Sequence, residues 1–211
     1  MTEATAPTTG GTNNRRAERE REKKLIFCNS TCLGARDLEI FREMLRNLTI
    51  QRYPIGEAMM FIMEHAEFSD ELADVVVASL MDAESPLPTK VARLFLVSDV
   101  LHNSSVTVPN AWKLRLSLEK RLAPVFVHLN LVYRSIPARL RADQFKTYIV
   151  SVLNVWDRWA IYTPNVLLEW RTLFMAPSSK ESDDFASKVA KHTAATGKIF
   201  IFCMLVLKYR E

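Results

Sequence analysis

Histidine and cysteine are the residues of this sequence most able to carry catalysis or bind a metal, but their spacing supports neither role. The histidines are scattered along 211 residues with no His-x-x-x-His pair: His65, His102, His128 and His192. The three cysteines form no even disulfide set, and Cys28 and Cys32 have no second ligand pair nearby at zinc-like spacing. Neither a Gly-rich phosphate loop nor a Gly-x-Ser-x-Gly elbow occurs. The sequence therefore predicts a protein that is not an enzyme and that uses no metal or cofactor.

Polar residues form one distinct arc on a segment that is otherwise apolar. Residues 90–104 read KVARLFLVSDVLHNS, a helix apolar nearly all round, which is typical of the centre of a bundle. At about 100° per residue, Phe95 shares an arc with four polar residues: Ser98, Asp99, His102 and Asn103. A carboxylate and an amide on a largely buried helix need partners, because unpaired buried polar groups are costly. The residues alone leave two interpretations equally open, an internal hydrogen-bond network or a groove that binds a peptide.

The elements that position this arc are predicted to be helices throughout. Glycine occurs only five times, and amphipathic periodicity continues from about residue 35 to 175, which favours an all-α fold. The apolar stripes predict helices over 38–48, 55–62, 72–80, 89–103, 145–159 and 163–174, with two further helices reaching Leu122 and about Ser135. Trp156 and Trp159 lie on the clearest stripe and are predicted to face the core. We therefore expect about eight helices in an antiparallel stack with short loops.

The two ends of the chain differ in composition from this periodic region. Residues 15–24 carry mixed charge and are predicted to be a solvated helix, a nuclear import signal or a weak RNA-binding arm. The apolar run 199–207 is too short to span a bilayer. The odd number of cysteines fits a reducing compartment, and the N-terminal residues lack the basic-then-apolar pattern of a secretory signal, so we expect a soluble intracellular protein and a monomer. The predicted organisation is a disordered N-terminal segment, one domain, and a linker with a C-terminal tail: residues 1–34, 35–176 and 177–211.

Three stretches resemble a known family of protein-interaction modules. Residues 94–104, LFLVSDVLHNS, resemble the central helix of CID domains, which bind the Tyr-Ser-Pro-Thr-Ser-Pro-Ser repeat of the RNA polymerase II carboxy-terminal tail. Residues 54–67 and 155–162 resemble the branch of SURP-motif splicing proteins associated with the U-two small nuclear ribonucleoprotein. The resemblance covers about residues 35–176. It implies a right-handed superhelix of the VHS and ENTH kind in a nuclear protein that links transcription to pre-mRNA splicing, with the polymerase tail and splicing ribonucleoprotein components as partners.

The resemblance also implies a role for each residue of the site. Asp99 would accept a hydrogen bond from the peptide tyrosine hydroxyl, and Asn103 would hold the peptide backbone. Phe95 and His102 belong to the same arc and are assigned to the groove with them. Lys90 matches a basic position of relatives and is assigned to a peptide phosphate.

One departure from the family leaves phosphate selectivity open. In several relatives, arginines flanking a turn of the seventh helix contact phosphoserine, whereas the matching positions here are Ser151 and Trp159. Arg158 is adjacent and is included in the predicted site. One residue along a helix nevertheless rotates a side chain by about 100°, so that Arg158 does not automatically replace the missing arginine.

Two other functions remain as alternatives. A trafficking adaptor of the VHS or ENTH kind needs a basic lipid-binding patch or an amphipathic leading helix, and residues 15–24 offer no apolar face. A direct RNA-binding protein would use residues 15–24 and would bind with strong salt dependence. The aromatic pattern of an RRM domain is absent from the sequence.

Overall fold

The computed structural model describes residues 32–105 and 107–177, and these residues form helices and connecting turns only. Within these two ranges, seven α-helices follow one another: α1 (Ala35–Arg46), α2 (Arg52–Glu64), α3 (Ser69–Met81), α4 (Leu87–Asn103), α5 (Ala111–Ser135), α6 (Arg139–Arg158) and α7 (Pro164–Met175). A 3-10 turn, Ala66–Phe68, joins α2 to α3. The prediction of an all-α fold is confirmed.

The predictions for the ends of the chain lie outside the described residues. These are the mixed-charge segment 15–24, the linker after residue 177 and the apolar run 199–207, so the proposed domain boundaries stay a prediction. Among the helices that the structure describes, none has the length and apolar character needed to cross a membrane.

Proline determines where two of the helices begin. Pro88 lies in the first turn of α4 and Pro164 in the first turn of α7. At these positions the missing N–H would have had no intrahelical partner, and the fixed φ suits a helix start. Both starts agree with the sequence prediction.

Helix α5 corrects one prediction, because the two helices expected up to Leu122 and Ser135 are a single helix of 25 residues. Pro124 lies inside it and removes one intrahelical hydrogen bond. The helix continues because both sides of the proline are buried: Leu122, Val125 and Phe126 have no exposed surface. Helix α5 packs on α3 and on α7, so tertiary burial outweighs the local preference for a break.

Helix α4 runs through the centre of the domain, as its apolar sequence predicts. It packs against α2 and α6, with further contacts to α3 and α5. Most of its residues are buried, including Leu94, Leu96 and Leu101, none of which has exposed surface. The position of α4 between α2 and α6 determines where its few exposed side chains meet solvent.

Candidate peptide-binding site

The polar arc on α4 divides into an inward and an outward part. Ser98 is only 8% exposed, and its hydroxyl accepts a hydrogen bond from the indole Nε1 of Trp156 at 3.1 Å. Asp99 and His102 are exposed, and Asn103 is half-buried. The two interpretations of the arc therefore apply to different residues, since Ser98 has an internal partner and Asp99 and His102 face solvent.

Asp99 is an exposed carboxylate that accepts no hydrogen bond from the described residues. Partial burial raises its pKa above the ordinary aspartate value, and the positive charges of His102 and Arg52 oppose that rise. A carboxylate that is partly desolvated and unpaired is a strong acceptor for a hydroxyl donor, because charge-assisted hydrogen bonds are shorter and stronger than neutral ones. The structure leaves this acceptor open to a ligand.

Asn103 connects the arc to α2. Its Nδ2 donates to the main-chain carbonyl of Asp99 at 2.9 Å and contacts the sulfur of Met59, on α2, at 3.1 Å. These contacts fix the plane of the amide. The amide oxygen accepts no hydrogen bond within the described part of the chain, and it is the group of Asn103 that suits a peptide N–H.

Aromatic rings connect the other side of the arc to α6. Phe95 meets Tyr148 of α6 edge to face, with 6.0 Å between ring centroids. The ring of His102 packs on that of Trp159 with 4.2 Å between centroids. Asp99 lies along α4 between Phe95 and Asn103, so it is flanked by α2 on one side and by these rings on the other.

Trp159 is a residue that the sequence analysis placed wrongly. It is 42% exposed, whereas Trp156, predicted with it as core, is fully buried. Helix α6 ends at Arg158, and Ala160 adopts a left-handed φ of 50°. Trp159 keeps helical backbone angles, and its N–H donates to the Val155 carbonyl at 2.9 Å, but its ring packs on the exposed side chain of His102 rather than in the core.

Lys90 is not a groove residue, and the expectation that it meets a phosphate is wrong. It is 2% exposed, and its Nζ donates to the carbonyls of Leu80, at 3.3 Å, and Asp82. These are among the last carbonyls of α3, which have no intrahelical donors. Burial lowers the pKa of Lys90 to about 8. Nine residues of α4 also separate it from Asp99, which corresponds to about 13 Å.

Two exposed arginines lie on the helices that flank the arc, Arg52, which was not predicted, and Arg158, which was. Arg52, the first residue of α2, is exposed and close enough to influence the pKa of Asp99. Arg158 is exposed at the end of α6, and Ser151 is exposed on the same helix. The sequence carries no signal for Arg52, because its proximity to Asp99 depends on how α2 packs against α4. Within the described residues there is no cluster of three metal-ligating side chains.

The helical architecture, with exposed polar and aromatic side chains of a central helix held between two neighbours, defines a helical protein-interaction module. The CID domain family matches residues 39–170, and the chain belongs to this family.

The chain is similar in sequence to three known proteins. It is 41% identical to Protein RRC1 and 38% identical to Protein RRC1-like, both of Arabidopsis thaliana, over 135 residues in each case. Each alignment covers 64% of this chain and 14% of the plant protein. An uncharacterized protein of Schizosaccharomyces pombe is 23% identical over 162 residues, which is 69% of this chain and 35% of that protein. The chain thus corresponds to about a seventh of the two plant proteins.

Proposed function

We propose that this domain binds the heptad repeat of the RNA polymerase II carboxy-terminal tail through the arc Phe95–Asn103. Membership of the CID family supports this kind of partner. The observation that carries the proposal is the Asp99 carboxylate, exposed and unpaired between α2 and α6. We further propose that the protein acts in the nucleus and links transcription to pre-mRNA splicing, together with splicing ribonucleoprotein components, as the sequence resemblance implies.

The groove has a chemical group for each part of such a peptide. Asp99 accepts a hydrogen bond from the tyrosine hydroxyl, and the amide oxygen of Asn103 accepts one from a peptide N–H. The ring pair of His102 and Trp159, and the edge of Phe95, offer apolar faces for the prolines of the repeat. Aromatic grooves of this kind suit proline-containing peptides, which lose little entropy because they are already extended.

Phosphate recognition, in this proposal, depends on Arg52 and Arg158. Both are exposed, and they lie on the two helices that flank the arc. An arginine binds phosphate with two parallel hydrogen bonds, which makes either residue suited to a phosphoserine. Asp99 repels a phosphate that is placed next to it, so the preferred phosphoserine is one that reaches an arginine without approaching this carboxylate.

The test is a fluorescence-anisotropy titration of a two-repeat peptide, unphosphorylated or phosphorylated at the second or the fifth serine. Asp99→Asn keeps the shape of the side chain and removes its charge. Loss of a charge-assisted hydrogen bond weakens binding about tenfold to a hundredfold. The matched control is Asp143→Asn, an exposed aspartate on α6 paired only loosely, at 3.9 Å, with Arg139; it should bind like the wild type.

Substitutions of the two arginines separate peptide binding from phosphate recognition. Arg52→Ala and Arg158→Ala should reduce the preference for a phosphorylated peptide and leave the affinity for the unphosphorylated peptide nearly unchanged. Equal binding by wild type and Asp99→Asn would refute the role of the carboxylate. Failure of the wild type to bind any of the peptides would refute the proposal and bring the RNA-binding alternative forward.

A further inference from the structure

A second groove lies between α1 and α3, apart from the exposed arc of α4. It has a volume of about 470 Å³, which is within the range of about 300–1,000 Å³ typical of ligand pockets. Its apolar lining comes from Leu38 and Leu45 of α1 and from Val75 and Ala78 of α3. Leu38 and Val75 are only half-buried and Ala78 is exposed, so this apolar surface is open to solvent within the described part of the chain.

Charged side chains line both rims of this groove. On the α1 rim, Arg46 is paired with Glu39 and Glu43 at 2.5 and 2.8 Å, which neutralises its charge. On the other rim lie three carboxylates, Glu71 and Asp74 of α3 and Asp82 just after it, and Asp74 is paired with Arg121 at 2.6 Å. Asp82 is exposed, and its carboxylate accepts hydrogen bonds only from neutral donors, the Ser85 hydroxyl and the Glu84 amide, at 2.5 and 3.2 Å. Arg42 and Arg93 also line the groove, and the charges of Lys90 and Arg93 act on Asp82. The charges of the lining are therefore balanced, and the exposed apolar surface is the feature that suits an apolar segment.

The N-terminal part of the chain enters the domain at one end of this groove. Leu33 is buried in the core, and its main-chain N–H donates to the Glu71 carboxylate at 2.7 Å. Glu71 is in the first turn of α3, whereas Asp82 follows the last turn. Eleven residues of α3 separate them, so the groove extends for about 16 Å from the point where the chain enters.

The sequence just before this entry point matches the groove in length and in apolar character. Residues 25–28 are Leu-Ile-Phe-Cys, and Lys23 and Lys24 precede them. Six residues separate Phe27 from Leu33, and an extended link of that length reaches about 20 Å. We propose that residues 25–28 bind in the groove between α1 and α3.

This docking leaves the proposed peptide site accessible. Arg93 lines the groove, and it lies six residues before Asp99 on α4. Six residues rotate a helix by about 600°, which places the two side chains about 120° apart around its axis. The N-terminal segment and a peptide bound at Asp99 therefore use different faces of the central helix. The docking of residues 25–28 and the binding of the peptide can be tested in separate experiments.

Paramagnetic relaxation in the full-length chain tests the proposal. Cys28 is kept as the only cysteine by replacing Cys32 and Cys203 with serine, and it is labelled with a nitroxide. We expect loss of amide signal intensity along α1 and α3 around the groove. The matched control replaces Leu25, Ile26 and Phe27 with serine and has the same tether and label position. Because the tether keeps the label near Leu33 in both chains, the readout is the difference between them, and we expect weaker signal loss in the control, above all at the Asp82 end of the groove.

Amide hydrogen exchange on the unlabelled chain provides a second readout. Residues 25–28 should exchange more slowly in the wild type than in Ala78→Arg, which fills the groove from an exposed position. Equal signal loss in the labelled chain and in its triple-serine control, or equal exchange in the wild type and Ala78→Arg, would overturn the proposal. A further control mixes nitroxide-labelled chains without isotope with isotope-enriched chains without a label. If the signal loss arises only between such separate molecules, the segment binds a second copy of the chain and the proposal is overturned. Peptide binding at Asp99 should be unchanged in every variant.

Discussion

His128, on α5, makes the stability of this domain depend on pH. Its Nε2 is buried and has no hydrogen-bond partner among the described residues. Burial, helped by the positive charge of Lys90, lowers the pKa of His128 to about 4. The folded protein therefore binds fewer protons than the unfolded chain between pH 4 and pH 6.5, so the free energy of unfolding decreases as the pH falls through this range.

The size of the effect follows from the two pKa values. With an ordinary histidine pKa of about 6.5 in the unfolded chain, the loss is about 1.5 kcal/mol at pH 5.5 and about 2.5 kcal/mol at pH 4.5. At pH 7.5 the loss is close to zero, because the ring is neutral in both states. Asp70 and Asp82 have lowered pKa values, so their stabilising contributions decline mainly below about pH 4.

Urea denaturation at pH 7.5, 5.5 and 4.5 measures this effect on wild type and His128→Leu. Leucine does not titrate, so the variant should lose less stability on acidification by the amounts given above. His128→Gln, which is also neutral but retains a polar group, is the control for changes in packing. The reasoning is refuted if wild type and both variants lose the same stability between pH 7.5 and pH 4.5.

Three further predictions concern buried polar contacts. Ser98→Ala removes the acceptor of the Trp156 indole and should lower the free energy of unfolding by about 1–3 kcal/mol, measured by urea denaturation. Asn130→Ala removes the buried donor to the Phe174 carbonyl and should cost about the same, about 1–3 kcal/mol, in the same assay; no loss would show that this contact is dispensable. Burial raises the pKa of Tyr162, so the unfolded chain ionises first and stability decreases above about pH 10; in Tyr162→Phe that alkaline loss should be smaller.

The helices were largely predictable because their signals are local. Apolar residues at three-and-four spacing and prolines in first turns act within one or two turns of chain. Helix α5 shows the limit of such signals, since Pro124 predicts a break. The helix is continuous because α3 and α7 cover it on both sides of the proline, and the partners of a helix are not encoded near it.

The site residues were predictable in part. The two wrong predictions, for Trp159 and Lys90, have a common cause, because both depend on contacts between helices. The arc with Asp99, His102 and Asn103 follows from helical geometry alone. The sequence did not show that Trp159 is exposed, because that depends on how the end of α6 packs against His102 of α4. It also did not show that Lys90 is buried, because its burial depends on the hydrogen bonds that its Nζ donates to carbonyl groups at the end of α3.

The sequence by itself determined the all-α class, the central position of α4 and the set of polar residues on its arc, since periodicity and residue type act locally. Only the tertiary structure decided which of those residues have internal partners. Ser98 is bonded to Trp156, whereas Asp99 is left open between α2 and α6. The physical reason is that the hydrogen-bond partners of these side chains are distant in sequence. Only the packing of the helices decides whether such a partner comes within reach.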